Sequence, residues 1–196
     1  MGAQAAVLET NTQENQRLHL RFKAVVQDGE GRFSRMHFPG RQEMLDSPLT
    51  DNPNENHTPS EDWPEELFNG SMNCRITEFP EDFAQIAGEG DRIAALDTTD
   101  TFTPEFSIPR ELIENNVVRP YSDACNPRKG IAQVWKCVVT NEETGQEFDA
   151  WHVRRVDGTY PPFHGIIELM SDKKMRDAYG LENGTPITID MYSRAP

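Results

Sequence analysis

The sequence predicts a mainly β protein, a small β-barrel with two short helices and one long acidic loop insertion. Several short segments alternate between apolar and polar residues with a period of two, which is typical of strands with one buried face. Residues that favour turns separate these segments. Strands do not alternate with long helices, so a parallel sheet covered by helices is not expected.

The first predicted strand follows a polar N-terminal tail. Residues 1–16 show little periodicity and are expected to form a flexible tail. Residues 18–26 alternate in polarity, and the turn that follows contains glycines, which permit positive φ angles. Because 196 residues fit one domain better than two, residues 17–196 are predicted to form a single domain.

The middle of the chain contains the predicted insertion. Residues 39–66 are rich in Pro, Asn, Asp and Glu, so we expect an irregular flap over one mouth of the barrel that builds no core of its own. Strand character returns within residues 68–79, and a short strand is predicted at 93–96. Residues 108–113 predict the first short helix, with Pro109 in its first turn.

The C-terminal third predicts four strands and the second helix. The strands cover residues 131–140, 148–156, 165–170 and 185–192. The first of them is apolar on both faces apart from Gln133 and Lys136, which indicates a central strand, and the second pairs with it as a hairpin. The helix is predicted to begin after Ser171 as its cap and to end at Tyr179, before Gly180.

Charge and composition exclude several classes of partner. A net charge of −14 repels phosphate backbones, so no nucleic-acid partner is expected. No apolar run approaches the roughly 20 residues of a membrane span, and the N-terminus lacks the features of a signal peptide. We therefore expect a cytoplasmic protein with no membrane partner. The three cysteines are widely spaced and predict neither a disulfide framework nor a zinc site.

The usual phosphate-binding signatures, G-x-x-x-x-G-K-[ST] and G-x-G-x-x-G after a strand, are absent. Three other segments carry a resemblance. They read VVQDGEGRFS at residues 25–34, NGSMNCRI at 69–76, and IIEL followed by KMRDAYGLENGTPITI within 159–189. In this order they resemble the CTP-dependent, archaeal-type riboflavin kinases, which show a Gly-Glu-Gly loop, a Gly-Thr-Leu-Asn segment, a strand with a central Glu, and a closing helix and strand.

The resemblance implies a cradle-loop-type barrel that transfers the γ-phosphoryl group of CTP to riboflavin and produces FMN. Such a reaction needs backbone N–H groups around phosphate, a metal ion and a base near the attacking hydroxyl. The resemblance assigns these roles as follows: nucleotide binding to Gly29, Glu30 and Gly31; Mg²⁺ binding to Ser71 and Asn73; and catalysis to Glu168. Arg155, Thr159 and Tyr160 are predicted to bind the substrate at the mouth of the site.

Simpler interpretations stay open at this point. Glycine turns after strands are common, and Ser71 and Asn73 could simply face solvent from one strand. Glu168 either faces water or has a function, because an unpaired carboxylate is costly to bury. A metal cluster of His152, His164 and Glu168 matches no known ligand spacing. The alternative function is a barrel that binds a flavin or nucleotide without catalysis.

Overall fold

The computed structural model describes residues 18–29, 37–47, 56–68, 70–81, 102–109, 112, 132–155 and 165–194. The predicted tail at 1–16 and the predicted strand at 93–96 lie outside the described residues. The elements, in chain order, are β1 (His19–Gln27), α1 (Arg41–Asp46), β2 (Met72–Glu78), β3 (Phe106–Ile108), β4 (Ala132–Asn141), β5 (Glu147–Arg155), β6 (Ile166–Met170), α2 (Met175–Tyr179) and β7 (Pro186–Tyr192).

Six of the described strands close into an antiparallel barrel. Their order around the barrel is β4, β5, β6, β2, β1 and β7, and β7 pairs back onto β4. The short β3 pairs with the beginning of β4, from Ala132 to Val134, whereas β7 takes the same edge from Lys136 onwards. The prediction of a mainly β, closed barrel is therefore confirmed, and the described residues include two short helices, α1 and α2.

The strand β4 is central, as the sequence predicts, and it forms a hairpin with β5. The two strands pair without interruption from Ala132 to Thr140. The connecting turn uses Gly145, whose φ of 71° lies in the left-handed region that favours glycine.

The main core fills the inside of the barrel, and the alternation seen in the sequence is the alternation of burial. In β1 every second residue from Leu20 to Val26 is buried, and the residues between them are exposed or half-buried. The core cluster combines residues from all six barrel strands, including Phe22, Trp135, Ile167 and Ile189.

A second core cluster lies on the other face of β4 and β5, and it corrects the prediction for residues 39–66. Met44 of α1 and Trp63 are buried there, and the ring of Trp63 packs edge-to-face on Trp151 at 5.1 Å between centroids. The indole Nε1 of Trp63 also donates a hydrogen bond of 3.0 Å to the carbonyl of Pro39. The segment is not irregular throughout, because a helix and a few large apolar side chains attach it to the sheet despite its polar composition.

The prediction of a helix at 108–113 is wrong for its first residue, Ile108, which belongs to a strand. Ile108 is the last residue of β3 and pairs with Ala132, because β3 extends the edge of β4. The second helix is shorter than predicted: Ser171 precedes it by several residues, and Gly180 ends it with a φ of 62°. Neither described helix has the length and apolar character that crossing a bilayer requires.

Candidate functional site

The candidate site is centred on Asn73 of β2, the strand that lies between β1 and β6. Asn73 pairs with Gln27 of β1 on one side and with Glu168 of β6 on the other. Its chain neighbours Met72 and Cys74 are buried in the barrel core, so Asn73 belongs to the opposite, outer face of the sheet. Directly opposite residues on one face bring their Cβ atoms to about 5 Å, so Asn73 and Glu168 are side-chain neighbours.

The loop that follows β1 contacts the same asparagine. A Cβ atom built on Gly29 would lie 2.9 Å from Cγ of Asn73 and closer still to Nδ2. Such distances are too short for a real side chain, so only glycine lets the backbone run this close to Asn73 without movement of the amide. Gly29 and Asn73, predicted from two separate motifs, are therefore in contact.

The side-chain oxygen of Asn73 is buried, and in the described part of the chain Oδ1 has no hydrogen-bond partner. A buried acceptor without a partner costs about 1–3 kcal/mol, so such an atom is a good candidate for a ligand contact. An amide oxygen is also a hard ligand that suits Mg²⁺. Ser71, the second predicted ligand, is half-buried and lies just before β2. The oxygens of these two residues fit the predicted ion.

Glu168 is half-buried on the outer face of β6, and its backbone is fixed from inside the barrel. Nδ1 of His152 donates a hydrogen bond of 3.0 Å to the Glu168 carbonyl, and the imidazole stacks on Trp135 at 5.5 Å. Burial lowers the pKa of His152 to about 4, so the ring is neutral near pH 7 with its proton on Nδ1. His152 therefore supports the strand that carries Glu168.

The end of β1 is anchored by the segment that includes α2 and the following turn. The amide of Val26 donates to the Thr185 carbonyl at 3.0 Å, and the amide of Gly184 donates to the Val26 carbonyl at 2.8 Å. Nη2 of Arg176 donates to the Gln27 carbonyl at 2.7 Å. The sequence motifs include Arg176 but suggested no role for it, because the contact joins positions 149 residues apart.

The remaining predicted residues are placed only in part. Glu30, Gly31, Thr159 and Tyr160 lie outside the described residues, and so does His164 of the alternative metal cluster. The backbone of Arg155 ends β5 and pairs with Ala132. Among the described residues, no group of three or more His, Cys, Asp or Glu side chains could hold a metal ion.

No protein-family model matches the sequence, and a search of curated proteins found no match either. The class that the structure defines is a closed antiparallel barrel of six strands, with Gly29, Asn73 and Glu168 adjacent on the side formed by β1, β2 and β6.

Proposed function

We propose that this barrel is a riboflavin kinase-like phosphotransferase, which transfers the γ-phosphoryl group of CTP to riboflavin and releases FMN and CDP. The observation that carries the proposal is the contact of Gly29 with Asn73, with Glu168 on the adjoining strand. The resemblance assigns these three residues to the nucleotide, the metal ion and the base. Their convergence, over 139 positions from 29 to 168, supports a common site.

Gly29 would begin the nucleotide-binding loop that continues through Glu30 and Gly31. Without side chains, the two glycines let backbone N–H groups approach a phosphate closely and donate hydrogen bonds to it. The start of this loop is held by backbone hydrogen bonds between Val26 and residues 184–185. A fixed starting point lowers the entropic cost of ordering this end of the loop around the nucleotide.

Asn73 and Ser71 would bind Mg²⁺ through their side-chain oxygens. A bound Mg²⁺ ion would neutralise charge on the phosphates of CTP during transfer. Asn73 suits this task because β2 is paired on both sides at its position, so the amide is presented from a rigid part of the barrel.

Glu168 would act as the general base. In the transfer, the riboflavin hydroxyl oxygen forms a bond to the γ-phosphorus, the bond from that phosphorus to the bridging oxygen breaks, and the hydroxyl proton moves to Glu168. Arg155, Thr159 and Tyr160 remain the predicted contacts for riboflavin.

A turnover assay tests this proposal. The purified chain is incubated with riboflavin, MgCl₂ and either CTP or ATP, and FMN is separated by chromatography and measured by its fluorescence. We expect FMN to form with CTP, only when Mg²⁺ is present. Asn73→Ala should reduce turnover about 100-fold or more, because it removes a charge-stabilising contact. Thr77→Ala is the matched control, since Thr77 is exposed further along β2.

The glutamate gives a second, kinetic test. Glu168→Gln should lower kcat much more than it weakens riboflavin binding, because a base acts mainly in the transition state. If the unmodified protein binds riboflavin but forms no FMN with either nucleotide, the alternative of a non-catalytic flavin- or nucleotide-binding barrel replaces this proposal. Absence of both binding and turnover rejects the two functions together.

A further inference from the structure

We infer that Arg176 is a positioning residue for the candidate site, which sets the path of the chain as it leaves β1 and reaches Gly29. The kinetic part of this inference rests on the proposed phosphotransferase function. Its geometric part concerns only the contact between Gly29 and Asn73, so it can be tested whatever the chain catalyses.

One nitrogen of the Arg176 guanidinium connects two distant turns. Nη2 donates to the Gln27 carbonyl at 2.7 Å and to Oδ1 of Asn183 at 2.8 Å. It also lies 3.6 Å from Oδ1 of Asp28, whose side chain is 82% exposed. Exposed ion pairs contribute little, so the two hydrogen bonds are the main contacts.

Arg176 is itself held firmly. It is the second residue of α2, and its neighbour Met175 is buried in the main core cluster. The helix ends at Tyr179, before Gly180, and the amide of Leu181, another core residue, donates to the Arg176 carbonyl at 2.9 Å. The guanidinium is therefore presented from a part of the backbone that the core fixes on both sides.

The hydrogen bond from Arg176 to Gln27 is placed where it can set the path of residues 27–29. Gln27 is the last residue of β1 and the cross-strand partner of Asn73, and Gly29 follows two residues later. The guanidinium contacts of Arg176 described above are with residues 27, 28 and 183, so its influence on Asn73 passes through the 27–29 segment. Gly29 lies so close to Asn73 that no side chain would fit at position 29 without movement of the amide. A small shift of residues 27–29 should therefore alter this contact.

Nuclear magnetic resonance tests the geometric part. The backbone amide of Gly29 and the side-chain amide of Asn73 both give signals in ¹H–¹⁵N spectra of the uniformly labelled full chain. We expect Arg176→Ala to shift both signals while the amides of β4 and β7 stay in place. Lys174→Ala is the control, because Lys174 pairs only with the exposed Asp177 in the described contacts of its ammonium group. Circular dichroism verifies that each variant is folded.

Arg176→Lys keeps the positive charge and one donor nitrogen. It provides a second test in case the alanine variant does not fold. If hydrogen bonding to Gln27 positions the loop, the lysine variant should move the two signals part of the way back. Unchanged Gly29 and Asn73 signals in a folded Arg176→Ala variant would overturn the inference, and so would equal shifts in the Lys174→Ala control.

Kinetics tests the functional part. Arg176→Ala should lower kcat roughly 10- to 100-fold, because small displacements of reacting groups cost this much, while the KM for riboflavin changes less than about twofold. A loss of folded protein alone would reduce the amount of active enzyme without shifting the two amide signals. Shifted signals with an inactive unmodified protein would reject the proposed phosphotransferase and keep the positioning role. Normal kcat in a folded Arg176→Ala variant would reject the kinetic part of the inference and keep the phosphotransferase.

Discussion

Gly29 lies directly against the side chain of Asn73, so that a Cβ atom at position 29 would come within 2.9 Å of Asn73 Cγ. This contact joins the loop after β1 to the beginning of β2, on the outer face of the barrel. Substitution of either residue should therefore change the effect of substituting the other, which tests the contact.

Gly29→Ala should destabilise the fold by about 1–3 kcal/mol, because the new methyl group must displace the Asn73 amide. Urea unfolding followed by tryptophan fluorescence measures the change. In an Asn73→Ala background, the same substitution should cost much less, because the three atoms nearest to the methyl group belong to the Asn73 side chain. Additive effects in this double-mutant cycle would show that the two residues are not in contact.

Local sequence patterns predicted most of the barrel but not its register. Segments 18–26 and 185–192 alternate because one side of β1 and β7 faces the core, so those strands were predictable within a residue or two. The pairing of Asn73 with Glu168 depends instead on how β2 and β6 align, and no local pattern specifies that alignment. The motif order suggested that the two residues belong together, and the register gives them adjacent positions.

The second core cluster was not predictable from composition. Residues 39–66 are polar overall, and a few isolated apolar residues such as Met44 and Trp63 give no periodic signal. Their burial follows from the apolar outer face that β4 and β5 present through Val134, Trp151 and Val153. The three-residue β3 was not predicted for a related reason: all its residues are buried, so they show no alternation between buried and exposed positions.

Trp63→Ala should destabilise the protein by about 3–5 kcal/mol, the usual cost of removing a large buried aromatic side chain. The indole is almost fully buried, and it packs on Phe106 as well as on Trp151. Leu45→Ala is the control in the same segment, because Leu45 is 43% exposed and should change stability little. Thermal unfolding by calorimetry measures both. If the two substitutions have equal, small effects on stability, residues 39–66 contribute little to the core and form a loose flap.

Asp190→Asn should destabilise the protein by about 1–3 kcal/mol at pH 7. The buried Asp190 carboxylate accepts hydrogen bonds from Arg21 Nε at 2.7 Å and from His19 Nε2 at 2.5 Å. Burial acts to raise the pKa of Asp190, but the hydrogen bonds from Arg21 and His19 outweigh it and leave this pKa below its usual value of 3.8. The carboxylate therefore stabilises the fold above pH 3.8, and this contribution disappears as the pH falls through the lowered pKa.

Urea unfolding of the Asp190→Asn variant between pH 7 and pH 2 measures this effect. The difference in unfolding free energy from the unmodified protein should shrink below about pH 4. Asp177→Asn provides the control, because Asp177 is exposed and pairs only with Lys174 in the described contacts. A difference that stays constant down to pH 2 would contradict the assigned role of the Asp190 charge.

His152 should make stability depend on pH in a higher range. Burial lowers its pKa from 6.5 to about 4, so the unfolded chain binds a proton below pH 6.5 that the folded chain takes up only near pH 4. Stability should therefore fall as the pH drops from 6.5 to about 4, by up to about 3 kcal/mol from this group, since one pKa unit corresponds to about 1.4 kcal/mol.

His152→Asn should remove this dependence and keep an N–H donor for the Glu168 carbonyl, because the asparagine amide can occupy the place of Nδ1. The variant loses the stacking on Trp135, so it should be less stable at pH 7 yet show a flatter profile between pH 6.5 and 4. His37→Gln is the comparison for loss of an imidazole at the surface, because the side chain of His37 is 45% exposed. If His152→Asn retains the full slope in this range, another group titrates there and His152 is not the buried neutral imidazole that holds the β6 strand.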